Sequence, residues 1–285
     1  MINTVIFGSG QMGAMIRKLL GGEYYVTAYA DNSPKKQGGY LGGIPILSPE
    51  DALKTRPECF CLGVLDDERS GEMERQIRQL GFEGEIIKAD ALEIFDARVA
   101  TMRLLAERIN KNRVEGDAAE LGVFKGQFAR HINEAFRERK MYLFDTFEGF
   151  DEKDVAVESE NGFSRAETGD FSDTCMEEVL SSMPFREQVT AYKGYFPDTF
   201  GPCLDKKFCF VSLDPDLYEP VKSGLELFWP RMSPGGAIIV HDYNSMQFFG
   251  VKKAVDEFCE SNNISVVPVC DLHGSALIIK DGKAL

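Results

Sequence analysis

Twice along this chain an apolar strand runs into a glycine-rich turn and then into a helix. Thr4-Val5-Ile6-Phe7 leads into Gly8-Ser9-Gly10-Gln11-Met12-Gly13, with a helix expected from Met12 to Leu20. A second strand, around Ala118–Leu121, ends in Glu120-Leu121-Gly122-Val123-Phe124-Lys125-Gly126. Between and beyond these turns lie further near-continuous apolar runs: Tyr25–Tyr29, Phe60–Val64, Tyr142–Phe144, Phe208–Val211 and Ala237–Val240. Such runs suit strands buried on both faces, so the expected class is α/β, with mostly parallel sheets covered by helices. Because the pattern restarts, 285 residues are expected to form two Rossmann-like domains, residues 1–93 and 94–285. The second opens with a connecting helix over 94–113, on which Ile94, Val99, Met102, Leu105 and Ile109 form an apolar stripe. Residues 149–174, rich in Asp, Glu, Ser and Gly, show little periodicity and are expected to be a long functional loop that closes over a site.

Charge narrows the partners. Asp plus Glu number 46 against 32 Lys plus Arg, a formal net charge of −14, which repels nucleic acid. The densest basic cluster, Arg137, Arg139 and Lys140, reads as a solvated helix end. No apolar run is long enough for a membrane span. The seven cysteines, Cys59, Cys61, Cys175, Cys203, Cys209, Cys259 and Cys270, form no CxxC pair. With no signal segment visible, they point to a reducing cytoplasm. Whether the chain forms a homo-oligomer is left open.

In the first turn, Gly8 permits the tight bend, Gly10 lets a phosphate approach the backbone, and Gly13 lets the helix lie close to the strand. Asp31, just after the second strand, stands where a ribose hydroxyl would be held. The expectation is a nucleotide ligand. The stretch Ala30–Lys36 followed by Gly42-Gly43-Ile44-Pro45-Ile46-Leu47 resembles the small N-terminal domains of bacterial sugar-modifying enzymes, the sugar O-acyltransferases and sugar-nucleotide dehydratases. That resemblance implies a nucleotide or UDP-sugar and does not choose between them.

The second turn differs. Its acid-x-glycine form suits a cofactor without a pyrophosphate: Gly122 and Gly126 admit the amino-acid tail of S-adenosylmethionine, and Glu120 faces its cationic end. The alternative is an ordinary turn with a solvated glutamate. Asp145 ends the next strand, where it accepts hydrogen bonds from a ribose or else caps a helix. Two more strands end in acids, at Asp214-Pro215-Asp216 and at His241-Asp242. Parallel neighbours would bring these tips together, and clustered carboxylates favour a cation between them. Oxygen donors favour Mg²⁺, while His241 would admit Mn²⁺ or a softer ion. His131, on a helix expected to be exposed, and His273, in a turn, carry no such partners in sequence.

Ala119–Val123, Leu143-Phe144-Asp145-Thr146-Phe147-Glu148-Gly149-Phe150, Lys193–Thr199, Leu213–Tyr218, Ser233–Gly236 and His241-Asp242-Tyr243 together resemble the macrocin O-methyltransferase (TylF/MycF) family over residues 95–285. The resemblance implies a class I methyltransferase domain with a mostly parallel seven-stranded sheet. It implies metal-dependent methyl transfer from S-adenosylmethionine to a hydroxyl of a sugar or glycosylated acceptor. Cofactor contacts fall on Glu120, Gly122, Gly126, Asp145 and Thr146, metal ligands on Asp214, His241 and Asp242, and the general base on Asp216. Many members have an aspartate where this chain has His241. Phe171, Tyr195 and Phe196 either wall the cofactor or acceptor or fill the core. Two other readings stay open: a catalytically weak sugar-nucleotide-binding or regulatory protein, and an NAD-dependent sugar-nucleotide enzyme. The second of these needs a Tyr-x-x-x-Lys pair that the residues around Tyr40 do not supply.

Overall fold

The structure, a computed structural model, describes residues 1–64, 67–88, 96–245, 247–269, 271 and 274–282. Ile94, Cys270, His273 and the expected boundary near residue 93 lie outside the described residues. The chain divides into two compact units, Met1–Ala100 and Thr101–Leu285.

In the first unit the elements are β1 (Ile2–Phe7), α1 (Gln11–Leu19), β2 (Tyr24–Ala30), β3 (Tyr40–Leu41), β4 (Ile44–Leu47), α2 (Pro49–Lys54), β5 (Cys59–Leu62), α3 (Asp67–Gln79) and β6 (Glu85–Lys88). The sheet order is β3-β4-β2-β1-β5-β6. All neighbours run parallel except the β3–β4 hairpin. Side chains alternate across the sheet. Ile6, Tyr29, Cys59 and Cys61 meet Ile16 of α1, while Val5, Phe7, Phe60 and Leu62 meet Ala52 of α2 and Ile77 of α3. Strands apolar on both faces are thereby covered on both faces. The helix α2 starts cleanly because Ser48 caps Asp51 N–H at 3.1 Å and Pro49 occupies the first position.

Helix α4 (Ala97–Lys111) carries the expected stripe. Met102, Leu105 and Ile109 are buried in the second unit's core. There follow β7 (Asp117–Leu121), α5 (Gln127–Ala135), β8 (Met141–Asp145), α6 (Glu152–Asn161), α7 (Met176–Ser181), β9 (Val189–Lys193), β10 (Phe208–Leu213), α8 (Tyr218–Phe228), β11 (Met232–Val240), α9 (Phe249–Asn262), β12 (Val267–Pro268) and β13 (Ala276–Ile279). Among the described residues they build a seven-stranded sheet in the order β12-β13-β11-β10-β7-β8-β9. Its five central and outer strands from β11 to β9 are parallel, and β13 is antiparallel to both neighbours. Val211, Leu213, Ile238 and Val240 bury one face against α8 and α9, and Phe210, Ala237 and Ile239 bury the other against α4 and α5. Each fully buried chain of the Leu225 or Phe228 kind contributes about 2–3 kcal/mol.

Three expectations need correction. Residues 149–174 are not one loop: they contain α6, capped by Asp151 and stopped by Gly162 at φ +66°. Its buried side chains include Asp154 and Glu158, four residues apart, so the inward stripe is polar and leaves little hydrophobic period. His131 is not exposed but 4% accessible, its Nδ1 lying 3.0 Å from Arg103 of α4. Burial, then the charges of Arg103 and Arg130, depress its pKa to about 3, so it is neutral. Arg139 is not a solvated helix end either. It follows α5 and donates to the carbonyls of Val114 and Gly116, tying the strand entry.

Candidate active site

In the first unit the strand tip and the glycine turn are locked together. Gly8 takes φ +110°, and a Cβ on Gly13 would stand 1.9 Å from the Gly8 carbonyl oxygen, so helix and turn touch only because Gly13 has no side chain. Gly10 is different: it caps α1 with open space where a Cβ would be. Asp31 accepts hydrogen bonds from Ser9 N (3.0 Å), Ser9 Oγ (2.5 Å), Ser33 N (2.9 Å) and Lys36 Nζ (2.9 Å). Burial pushes its carboxyl upward, but the bonds from Ser9, Lys36 and Ser33 prevail and hold it at about 2.

The second turn also depends on close approach at its glycines. Gly122 lies at φ +80°, and a Cβ there would come within 2.1 Å of the Asp214 carbonyl oxygen. Gly126, at φ +73°, caps α5. Phe124 takes φ +49°, a strained setting for a bulky side chain. Asp145, at the tip of β8, binds the turn directly. Its Oδ2 accepts Val123 N (2.6 Å) and Phe124 N (2.9 Å), and its Oδ1 accepts Phe147 N (2.6 Å). Thr146 is spent locally, donating to the Gly149 carbonyl at 2.7 Å. Glu120 is 1% exposed. Alternation with Ala119 and Leu121 puts it on the sheet face that carries α4 and α5, beneath the turn.

Backbone hydrogen bonds show how close the tips lie. Gly122 N donates to Phe144 O (3.0 Å), Asp214 N to Leu121 O (2.8 Å) and His241 N to Leu213 O (2.9 Å). The tips of β8, β7, β10 and β11 thus stand side by side. Beyond β10 and β11, one ligand atom each from Asp214, Asp216, His241 and Asp242 lies within 4.8 Å of the others. His241 Nδ1 is 2.8 Å from Asp214 Oδ1 and 2.7 Å from Asp242 Oδ2. Asp216 and Asp242 hold left-handed backbone, at φ +60° and +55°. Strain of this kind costs about 1–3 kcal/mol at each residue and gathers at functional sites.

Electrostatics follow from the crowding. Burial, then the charges of Asp214 and Asp242, drives the Asp216 carboxyl well above the usual carboxylate range. For Asp242, burial pushes upward, yet the hydrogen bond and charge of His241 leave its pKa lowered. Three carboxylates converging beside one imidazole repel one another unless protons or a cation lie among them. That donor set fits a hard divalent cation. Among the described residues no other group of three or more His, Cys, Asp or Glu side chains converges in this way.

Of the three aromatic residues singled out in the sequence, Phe171 is 45% exposed and sits 5.3 Å from Phe124 and 5.2 Å from Phe150. Tyr195 donates its hydroxyl to Asp154 at 2.9 Å, and Phe196 is core, stacked on Phe228 at 6.2 Å. The residues that sequence reasoning passed over are Phe150 and Phe248, in line with Phe171, and the buried acids of α6. The aromatic pair lies in loops without periodicity, and the acids occupy what reads as a solvated stretch.

A seven-stranded sheet with a glycine turn after β7, the middle one of its five parallel strands, and acids at the flanking tips defines an α/β fold of the methyltransferase kind. The model of the TylF macrocin-O-methyltransferase family matches residues 69–277, and the chain belongs to that family. Among curated proteins it is similar to a tetracenomycin-C rhamnosyl 4'-O-methyltransferase from Streptomyces olivaceus, 27% identical over 51% of this chain and 60% of the relative. It is likewise similar to mycinamicin III 3''-O-methyltransferase from Micromonospora griseorubida, 27% identical over 59% of this chain and 70% of the relative. The chain therefore spans less than two thirds of the first relative's length. Among solved structures, the O-methyltransferase NovP superposes with a TM-score of 0.52 at 25% identity, covering 66% of this chain and 81% of that one.

Proposed function

We propose that this chain transfers a methyl group from S-adenosylmethionine to a hydroxyl of a sugar or glycosylated acceptor, at a site that also takes a divalent cation. The observation that carries the reading is the contact of Gly122 with the backbone of Asp214, which sets a cofactor-type turn against an acid cluster. The relatives' activities, named for a rhamnosyl tetracenomycin and for mycinamicin III, are the basis for the acceptor class.

In this reading Gly122 and Gly126 let the methionine part of the donor lie against the backbone, and Glu120 adds negative potential from below. Asp145 is already fixed by three N–H groups and offers its remaining lone pairs to ribose hydroxyls beside Thr146. Asp214, His241 and Asp242 would hold the cation, Mg²⁺ by the oxygen majority or Mn²⁺ by the imidazole. A divalent cation held by these residues would supply Lewis acidity that lowers the pKa of an acceptor hydroxyl. Asp216, its proton affinity raised by burial and by the charges of Asp214 and Asp242, would take the hydroxyl proton as the oxygen bonds to the methyl carbon and the sulfonium–methyl bond breaks, releasing S-adenosylhomocysteine. In the first unit the open side of Gly10 at the start of α1 is proposed to take the phosphate of a nucleotide or sugar nucleotide, with Asp31 as the ribose-side acid. The buried free cysteines fit a reducing, cytoplasmic setting.

The test is Asp214→Ala, read as S-adenosylhomocysteine release with a panel of rhamnose-bearing glycosides. Loss of about 10³-fold in kcat/KM, some 4 kcal/mol, is expected, with chelator equally damaging to the wild type. Turnover that persists unchanged in chelator contradicts the cation's role.

A further inference from the structure

The two helices that follow the acid-bearing loops begin without side-chain caps of their own. Leu217 precedes α8 and Phe248 precedes α9, and neither offers an acceptor. Both helices are capped instead from α6. Glu158 Oε1 accepts the first N–H of α8, from Tyr218, at 2.8 Å. The carbonyl of Phe163, just past the end of α6, accepts the first N–H of α9, from Phe249, at 2.9 Å. Phe163 is itself tied to Glu158, donating to its carbonyl at 2.9 Å, and its ring lies 5.2 Å from that of Tyr218. A Cβ on Gly250, the second residue of α9, would stand 2.9 Å from Glu158 Oε1 and 2.9 Å from Tyr218 Cβ. The three segments therefore meet at one carboxylate.

That carboxylate is 1% exposed, and its Oε2 has no hydrogen-bond partner. A buried acceptor left unmet is destabilising, so a role in stability alone explains it poorly. Its place in the fold explains it better. Tyr218 is two residues past Asp216, and α9 follows the loop that starts at His241 and Asp242. Fixing both helix starts ties together the chain segments that carry the two halves of the donor set, one of which includes Asp216 in left-handed backbone.

We infer that Glu158 is a positioning residue that sets the spacing between the Asp214–Asp216 and His241–Asp242 halves of the acid cluster. It is not itself one of the cluster's side chains. The inference rests on the reading of that cluster as a cation site. Partners behind metal ligands typically govern about 10- to 100-fold in affinity, which sets the expected scale.

The test is calorimetry of the full chain with Mn²⁺ alone and, separately, with S-adenosylmethionine. Glu158→Ala should weaken Mn²⁺ binding by about tenfold or more. It should leave S-adenosylmethionine affinity within about twofold, a split that general loosening of the fold would not give. Glu158→Gln keeps an oxygen for Tyr218 N–H and should bind Mn²⁺ like the wild type. A folded Glu158→Ala protein with wild-type Mn²⁺ affinity overturns the inference, as does a Glu158→Gln protein that loses as much as Glu158→Ala. If Glu158→Ala does not fold, Glu158→Asp decides. One methylene shorter, it withdraws the acceptor from Tyr218, so wild-type Mn²⁺ affinity there is the overturning result and a loss near tenfold the supporting one. A wild-type chain that binds no Mn²⁺ removes the cation reading itself and this inference with it. A wild type that binds beside an unaffected Glu158→Ala removes only the inference.

Discussion

In the first unit the turn Gly8–Gly13 is tied to the tip of β2 by Asp31, which accepts Ser9 N–H. In the second, the turn Gly122–Gly126 is tied to the tip of β8 by Asp145, which accepts Val123 and Phe124 N–H. The mechanical device is the same, yet the two acids meet different surroundings. Asp31 also takes the Ser9 hydroxyl and the ammonium of Lys36, so its charge is largely answered within the unit. The hydrogen bonds to Asp145 come from backbone N–H groups, and beside its turn lies a second set of acids, reached through Gly122. A glycine turn with an acid on the next strand thus specifies a geometry. The charges placed around it specify which ligand that geometry serves.

The glycines give the largest expected effects. Gly13→Ala would drive a methyl into the Gly8 carbonyl, and Gly122→Ala into that of Asp214. Each should cost about 3 kcal/mol or more in chemical denaturation. Equal tolerance at both positions would break the claim that the two turns are closed by contact. Next comes Asp154, on α6. Burial, against the Tyr195 hydrogen bond, raises its pKa from 3.8 to about 6. A raised carboxyl stabilises the fold fully below the unfolded value and loses that contribution as pH rises through the folded one, here about 6. Asp154→Asn should therefore add about 2 kcal/mol near pH 8 and little below pH 4, measured by denaturation against pH.

Asp31 should show the opposite slope and a smaller size. Its pKa is lowered from 3.8 to about 2, so its contribution is present above 3.8 and disappears as pH falls through about 2. After allowance for the half-exposed Lys36 partner, Asp31→Asn should cost about 1 kcal/mol at neutral pH. Slopes of the same sign at Asp31 and Asp154 would contradict the electrostatics given for both. The smallest effect belongs to Gly10→Ala, with open space and φ −85°, expected within about 0.5 kcal/mol in the ligand-free protein.

Much of this was legible in the sequence, because parallel strands write themselves as apolar runs and their tips as glycines and acids. Val5–Phe7, Leu143–Phe144 and Ile238–Val240 fall in strands where hydropathy places them. Asp145, Asp214 and Asp242 stand at the same edge of one sheet, at the tips of β8, β10 and β11, with β7 between the first two. What was hidden depends on contacts between distant residues. The helix α6 escaped notice because Asp154 and Glu158 face inward, and their partners, Tyr195 and Tyr218, lie 41 and 60 residues away. His131 looked exposed because nothing in α5 announces Arg103 of α4. The neutralisation of Asp31 by Lys36 was present in sequence but not its geometry, which a turn at Ser33 creates.

The most direct test is titration calorimetry of the full chain with S-adenosylmethionine, comparing wild type, Asp145→Ala and Asp31→Ala. A second-unit cofactor site predicts that Asp145→Ala weakens binding by about tenfold or more, 1.4 kcal/mol, while Asp31→Ala stays within about twofold of wild type. Binding that survives Asp145→Ala and vanishes with Asp31→Ala would place the donor on the other turn and contradict the account.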